Sequence, residues 1–156
     1  MSATTIQRVP NATPVSDAER ETVLADPGFG RFHTDHMVAV RWSTEKGWHD
    51  AQLTAYAPLQ LDPSAMVLHY GQAIFEGLKA YRQPDGSVAV FRPQENAKRF
   101  NRSAARLAMP ELPEELFLEA VDTLVEADRA WVPTAEGQSL YPVSYTHLTL
   151  PTIYSV

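Results

Sequence analysis

HMVAVRW, His36 to Trp42, alternates with β-branched and aromatic residues, so it predicts a strand. GWHDAQLTAY, residues 47–56, predicts a second strand folded back on the first across Ser43 to Lys46. GLKAYR and SVAVFR flank Gln83-Pro84-Asp85-Gly86, where proline presets φ and glycine accepts a positive one, so these two runs predict a hairpin. The period then changes. Pro93 suits the first turn of a helix, whose N–H groups have no intrahelical partner, and Ala97, Phe100, Ala104 and Leu107 recur at helical spacing over residues 93–108. After Pro113, Glu114 and Glu115 sit at the positive end of a second helix dipole. Leu116, Phe117, Ala120, Val121, Leu124 and Val125 give that helix a broad apolar face to pack on the sheet. Residues 1–28 show no sustained period and predict a loosely ordered arm with one short helix near Asp17 to Leu24. The predicted class is α+β: an α/β small domain of antiparallel sheet and two packed helices.

Composition narrows the functions. A chain of 156 residues suits one domain, and its net charge of −6, from 19 acidic and 13 basic residues, lacks the dense basic patch of a nucleic-acid binder. It contains no cysteine, which removes disulfides and thiolate metal sites. No apolar run approaches the roughly 20 residues that span a bilayer, and no signal region opens the chain, so a cytoplasmic setting is expected with neither membrane nor nucleic acid as partner.

Three groups of residues could carry chemistry. Lys79, beside aromatic residues in GLKAYR, reads either as a Schiff-base lysine or as a solvated charge; the first needs a desolvated pocket that the local sequence does not announce. Arg99, Arg102 and Arg106 form a cationic stripe on the helix face opposite Phe100, which is either a solvated face or a clamp for phosphate or carboxylate. Tyr70, Phe75, Tyr81 and Tyr141 are either core or the lining of an apolar pocket with hydroxyl handles. His33 and His36 have no carboxylate or thiol at a ligand spacing, so no metal site is expected.

HYGQAIFEGLKAYR, VFRPQENAKRFNRSAARLAMP and WVPTAEGQSLY, in that order and preceded by FGRFHTDHM, resemble the N-terminal half of branched-chain amino acid aminotransferases. These are class IV aminotransferases of fold-type IV, and the resemblance runs from about Phe29 to Tyr141. It implies a pyridoxal 5'-phosphate enzyme of branched-chain amino-acid biosynthesis. Such an enzyme moves an amino group between leucine, isoleucine or valine and 2-oxoglutarate as a homodimer. The resemblance assigns the cofactor phosphate to Arg99 and the substrate side-chain pocket to Phe29, Tyr70, Phe75 and Tyr141. It places the Schiff-base lysine in a second domain beyond this chain, so Lys79 becomes a scaffold residue and no catalytic residue is expected here. D-amino acid aminotransferases and aminodeoxychorismate lyases share the fold and match these segments less closely. A non-catalytic binding module is the reading from another class.

The resemblance divides the chain into the arm at 1–28, the aminotransferase small domain at 29–141 and a tail at 142–156. The tail, PVSYTHLTLPTIYSV, departs from the family, with Val143 near the place of a carboxylate-binding arginine, and it resembles translated sequencing-adapter DNA. A mis-joined gene and an inactive fragment are therefore expected. VSYTHLTL is uncharged and β-prone, and predicts an extra, unprotected sheet edge. The apolar face at 116–125 is expected to await cover from a second domain.

Overall fold

The computed structural model describes residues 5–9 and 11–147. The chain is α+β, with its strands in three small sheets. Strand β1 (Gln7–Arg8) precedes helix α1 (Asp17–Ala25), and strands β2 (His36–Ser43) and β3 (Gly47–Ala55) form the expected antiparallel hairpin. β1 adds in parallel to the free edge of β3, giving the order β1-β3-β2. A short helix α2 (Met66–Tyr70) leads into β4 (Ala73–Gly77) and β5 (Ala80–Arg82), and β5 turns back into β6 (Val88–Val90). Two long helices follow, α3 (Pro93–Arg106) and α4 (Glu114–Ala127), then a 3₁₀ turn (Arg129–Trp131) and strand β7 (Val143–His147).

The β5–β6 turn forms where proline and glycine require it: Gly86 has φ +81° and its N–H donates to the Gln83 carbonyl at 2.9 Å. The paired strands are shorter than the two six-residue runs, because the chain breaks step at Leu78–Lys79 and Gly77 belongs to β4. Helix α3 opens with Pro93 at its first position, and Ala97, Phe100 and Ala104 are buried as the spacing predicts. Leu107 is not part of that stripe. It caps the helix and is exposed, Ala108 turns left-handed at φ +53°, and Met109 enters the core instead.

The arm is not loose where it is described. The Ile6 side chain is buried, β1 is hydrogen-bonded to β3, and α1 starts with a capping box in which Ser16 and Glu19 satisfy each other's backbone N–H groups. Asp35 fastens the arm from the other side. Its carboxylate accepts from the Val15 N–H at 2.7 Å and the Trp131 indole at 2.7 Å, while its carbonyl accepts from the Asn11 amide at 3.1 Å. These partners lie far apart in sequence, which is why local periodicity missed them.

Helix α4 carries two apolar stripes. Phe117, Val121 and Val125 pack with Ile74, Leu78, Phe100 and Ala104 in one cluster. Leu116, Ala120 and Leu124 pack with Ile6, Ala51 and Leu53 of the three-stranded sheet in the other. The face at 116–125 is thus covered within the chain, and the expectation that it awaits a second domain is corrected. At the end of α4, Asp128 is 1% exposed and accepts from the His36 N–H at 3.2 Å while its other oxygen lies 2.6 Å from His36 Nδ1.

Residues 143–147 of the expected tail are a strand: β7 pairs antiparallel with β4 along its whole length, Ala73 opposite His147 and Gly77 opposite Val143. The same register continues to an Ala80–Leu140 bridge. Residues 148–156 of the tail, with 1–4 and 10 of the arm, lie outside the described residues. Among the described residues no helix is long and apolar enough to cross a membrane.

Two outcomes test this packing. Phe117→Ala opens a cavity at the contact of α3 and α4 and is expected to cost about 3–5 kcal/mol in urea unfolding. Because β7 covers one edge of β4, deleting residues 143–156 is expected to lower the melting temperature and raise the aggregated fraction in size-exclusion chromatography. An unchanged melting temperature would show that the β4–β7 ladder contributes no stability.

Candidate functional site

Strand β4 divides the candidate residues between its two faces, because alternate side chains of a strand point to opposite sides. Ile74 and Glu76 point inward, toward α3, and Phe75 and Gly77 point to the other side. Glu76 is thus a carboxylate in an apolar row, 5% exposed, a position that normally demands full hydrogen bonding.

It is fully engaged. Arg99, one turn beyond Asn96 on α3, donates Nε to one Glu76 oxygen and Nη2 to the other, both at 2.6 Å. The Asn96 amide donates at 3.1 Å to Glu76 and at 3.2 Å to the Gly77 carbonyl, and the Gly77 N–H donates to Glu76 at 2.9 Å. Burial alone would raise the Glu76 pKa, but the hydrogen bonds from Arg99, Asn96 and the Gly77 backbone outweigh it and hold the carboxyl below its ordinary range. The same partnership raises the pKa of Arg99.

Arg99 also lines a cleft of about 350 Å³ with Lys79, Tyr81, Phe91, Arg92 and Glu95. Lys79 and Arg92 bring two more cations to this cleft. Lys79 is exposed in the break between β4 and β5, so its setting is that of a solvated charge. Arg92 stands at the N-terminus of α3 with φ +47°, an uncommon conformation for a residue with a side chain. Arg102 and Arg106 are exposed on α3, and neither lines the cleft.

The other face of β4 carries aromatic rings. The Tyr141 ring lies against Gly77, where even a methyl group would overlap its hydroxyl end, and the Phe29 ring sits 5.7 Å from it, tilted by 38°. Phe75 points to the same side of β4 and faces Tyr145 across the β4–β7 ladder. Phe29, Phe75 and Tyr70 are 82%, 69% and 73% exposed, so these rings are surface and not core. Tyr70 ends α2, its ring tilted against His69, and no described ring contact joins it to Phe29 or Tyr141. The structure therefore brings Phe29 and Tyr141 together with Phe75 on their side of the strand, leaves Tyr70 apart, and sets Arg99 on the opposite face.

Sequence reading missed Glu76 and Asn96. The available signal was Glu76 itself, which interrupts the Ile74–Leu78 apolar row at its middle position. His36 has a carboxylate partner after all, Asp128, 92 residues away in sequence. His33 instead stacks on Tyr56 at 4.5 Å. Among the described residues no three His, Cys, Asp or Glu side chains cluster as a metal ligand set.

No family model matches the chain. A probable branched-chain-amino-acid aminotransferase from Streptomyces coelicolor is 60% identical over 142 residues, which is 90% of this chain and 39% of that protein. The branched-chain-amino-acid aminotransferase of Mycolicibacterium smegmatis is 56% identical over the same shares. Among solved structures, that of the Escherichia coli branched-chain amino acid aminotransferase aligns with a TM-score of 0.51 at 20% identity, covering 62% of this chain and 30% of that one, which shows the fold. The chain thus spans about two fifths of the length of the curated relatives it matches. Over those 142 residues the chain is similar in sequence to branched-chain-amino-acid aminotransferases.

Proposed function

We propose that this chain supplies the small-domain share of a pyridoxal 5'-phosphate aminotransferase that exchanges the amino group of leucine, isoleucine or valine with 2-oxoglutarate. The observation that carries this reading is the 60% identity over 142 residues to a relative of that name. On this reading residues 29–141 are the small domain, and the enzyme is a cytoplasmic homodimer of branched-chain amino-acid biosynthesis.

The donor set suits the cofactor. A phosphate monoester seeks guanidinium and ammonium groups, and the cleft offers Lys79, Arg99 paired with Glu76, and Arg92 at 3.8 Å from Glu95, three cations to two carboxylates. When bound, pyridoxal phosphate supplies the electron sink for charge developing at the substrate α-carbon. Arg99 would hold its phosphate. Phe29, Phe75 and Tyr141 would form an apolar wall that orients a branched side chain and excludes water, and Tyr141 adds a hydroxyl at the edge of that wall. Tyr70, which makes no described ring contact with Phe29 or Tyr141, would add a further aromatic surface to the pocket.

Covalent chemistry needs a desolvated lysine whose amine is neutral enough to attack. Lys46, Lys79 and Lys98 are all exposed, so none of them has that setting. The nucleophile is therefore assigned to the part of the relatives' length that this chain does not span.

Two measurements test the reading. Arg99→Ala is expected to weaken binding of pyridoxamine 5'-phosphate about tenfold or more in calorimetry, while Arg106→Ala leaves it unchanged. Equal affinities in the two variants would remove Arg99 from the site. Borohydride reduction of the 156-residue chain with pyridoxal phosphate is expected to leave no dominant adduct on Lys79 in peptide mapping, and an adduct confined to Lys79, with transaminase turnover, would reverse the assignment of the nucleophile.

A further inference from the structure

The two partners of the Glu76–Arg99 pair differ in burial: the carboxylate side chain is 6% exposed and the guanidinium side chain 56%. The buried partner therefore has one place to be, fixed by Asn96 and the Gly77 N–H, while the exposed partner would otherwise swing freely on its long stem. Guanidinium has five N–H donors in one plane. Glu76 takes Nε–H and the near hydrogen of Nη2, which leaves Nη1 and the far hydrogen of Nη2, a second fork. Arg99 lines the cleft that also holds Lys79 and Arg92.

We propose that Glu76 is a positioning residue for Arg99: its buried carboxylate fixes the guanidinium plane so that the outer fork is preset to receive a phosphate monoester in the cleft. This rests on reading Arg99 as the phosphate ligand and adds what makes it effective. An arginine already held in place loses less side-chain freedom when an anion arrives. Engaging two of its five donors with a carboxylate would ordinarily weaken an anion site. Here Lys79, beside Arg92 and its partner Glu95, keeps the cleft net cationic, so orientation is gained without reversing the local charge.

Glu76→Gln keeps the shape but replaces one of the two acceptors facing Arg99 by an amide donor. Calorimetry on the 156-residue chain compares pyridoxamine 5'-phosphate with pyridoxamine, and the ratio of the two affinities isolates the phosphate contribution. The wild-type ratio is expected to be about tenfold or more in favour of the phosphate, and Arg99→Ala is expected to abolish it. Glu76→Gln, at a temperature where circular dichroism shows it folded, is expected to lose most of the ratio. In an Arg99→Ala background the same change is expected to lose nothing further, because the effect runs through Arg99. A purely structural bridge would lower the melting temperature and leave the ratio intact, and that result overturns the positioning role while Arg99 keeps its own. A ratio that survives Arg99→Ala, or one absent from the wild type, overturns the reading of Arg99 and this inference with it. Should Glu76→Gln fail to fold, the wild-type nuclear magnetic resonance spectrum decides: a clamped Arg99 gives a slowly exchanging Nε–H resolved from the exposed arginines, and an averaged signal overturns the proposal.

Discussion

Helix α4 has to be apolar on two sides, and the architecture follows from that requirement. Its stripe of Phe117, Val121 and Val125 meets α3 and β4, and its stripe of Leu116, Ala120 and Leu124 meets the three-stranded sheet. A fully buried side chain of this size contributes about 1.5–3 kcal/mol relative to exposure, so neither stripe could be left uncovered without a large loss. The β4–β7 ladder runs on through Leu78–Pro142 and Ala80–Leu140 into β5, and the three-stranded sheet has no described strand pairing with either of these. What joins the three-stranded sheet to the other two is this helix, together with the polar ties at its end. Asp128, buried beneath His36, holds β2 to the end of α4, and Asp35 joins β2 to the arm and to Trp131.

Elements with a local cause were readable from the chain. The Pro84-Asp85-Gly86 turn, Pro93 at the start of α3 and the β2–β3 alternation each depend on a few neighbouring residues, and each stands where the sequence puts it. Elements with a distant cause were not. The arm looks irregular because β1 is only two residues long, and its order comes from β3 and Asp35. The breadth of the α4 face was visible, but breadth has two explanations, an external partner or two internal ones, and periodicity does not choose between them. Leu107 kept the helical rhythm beyond a helix that a left-handed Ala108 had already ended.

The candidate site was readable to a similar depth. The stripe of arginines was evident, but spacing gave Arg99, Arg102 and Arg106 equal standing, and only the buried carboxylate on β4 separates the first from the others. The aromatic group was evident too, yet whether it was core or surface turned on tertiary placement. Rings at Phe29, Phe75 and Tyr70 that stay mostly exposed contribute little to the stability of this chain, and their exposure is what the proposed binding role requires.

The two faces of β4 are mechanically coupled through one position. A carboxylate at Glu76 is costly in an apolar row unless its donors are in place, and two of those donors, Asn96 and Arg99, come from successive turns of α3. Sliding α3 by one residue would carry both donors away at once and leave a buried charge unpaired, so the pair adds to the apolar contacts of Ala97, Phe100 and Ala104 in fixing the helix register on the strand. Across the strand, Tyr141 reaches its place against Gly77 only because that residue has no side chain, and Gly77 in turn donates its N–H to Glu76. The Glu76-Gly77 pair thus sets an arginine on one side and an aromatic ring on the other by two adjacent residues. A displacement of β4 at this point would therefore disturb the Arg99 contact and the Tyr141 contact at once.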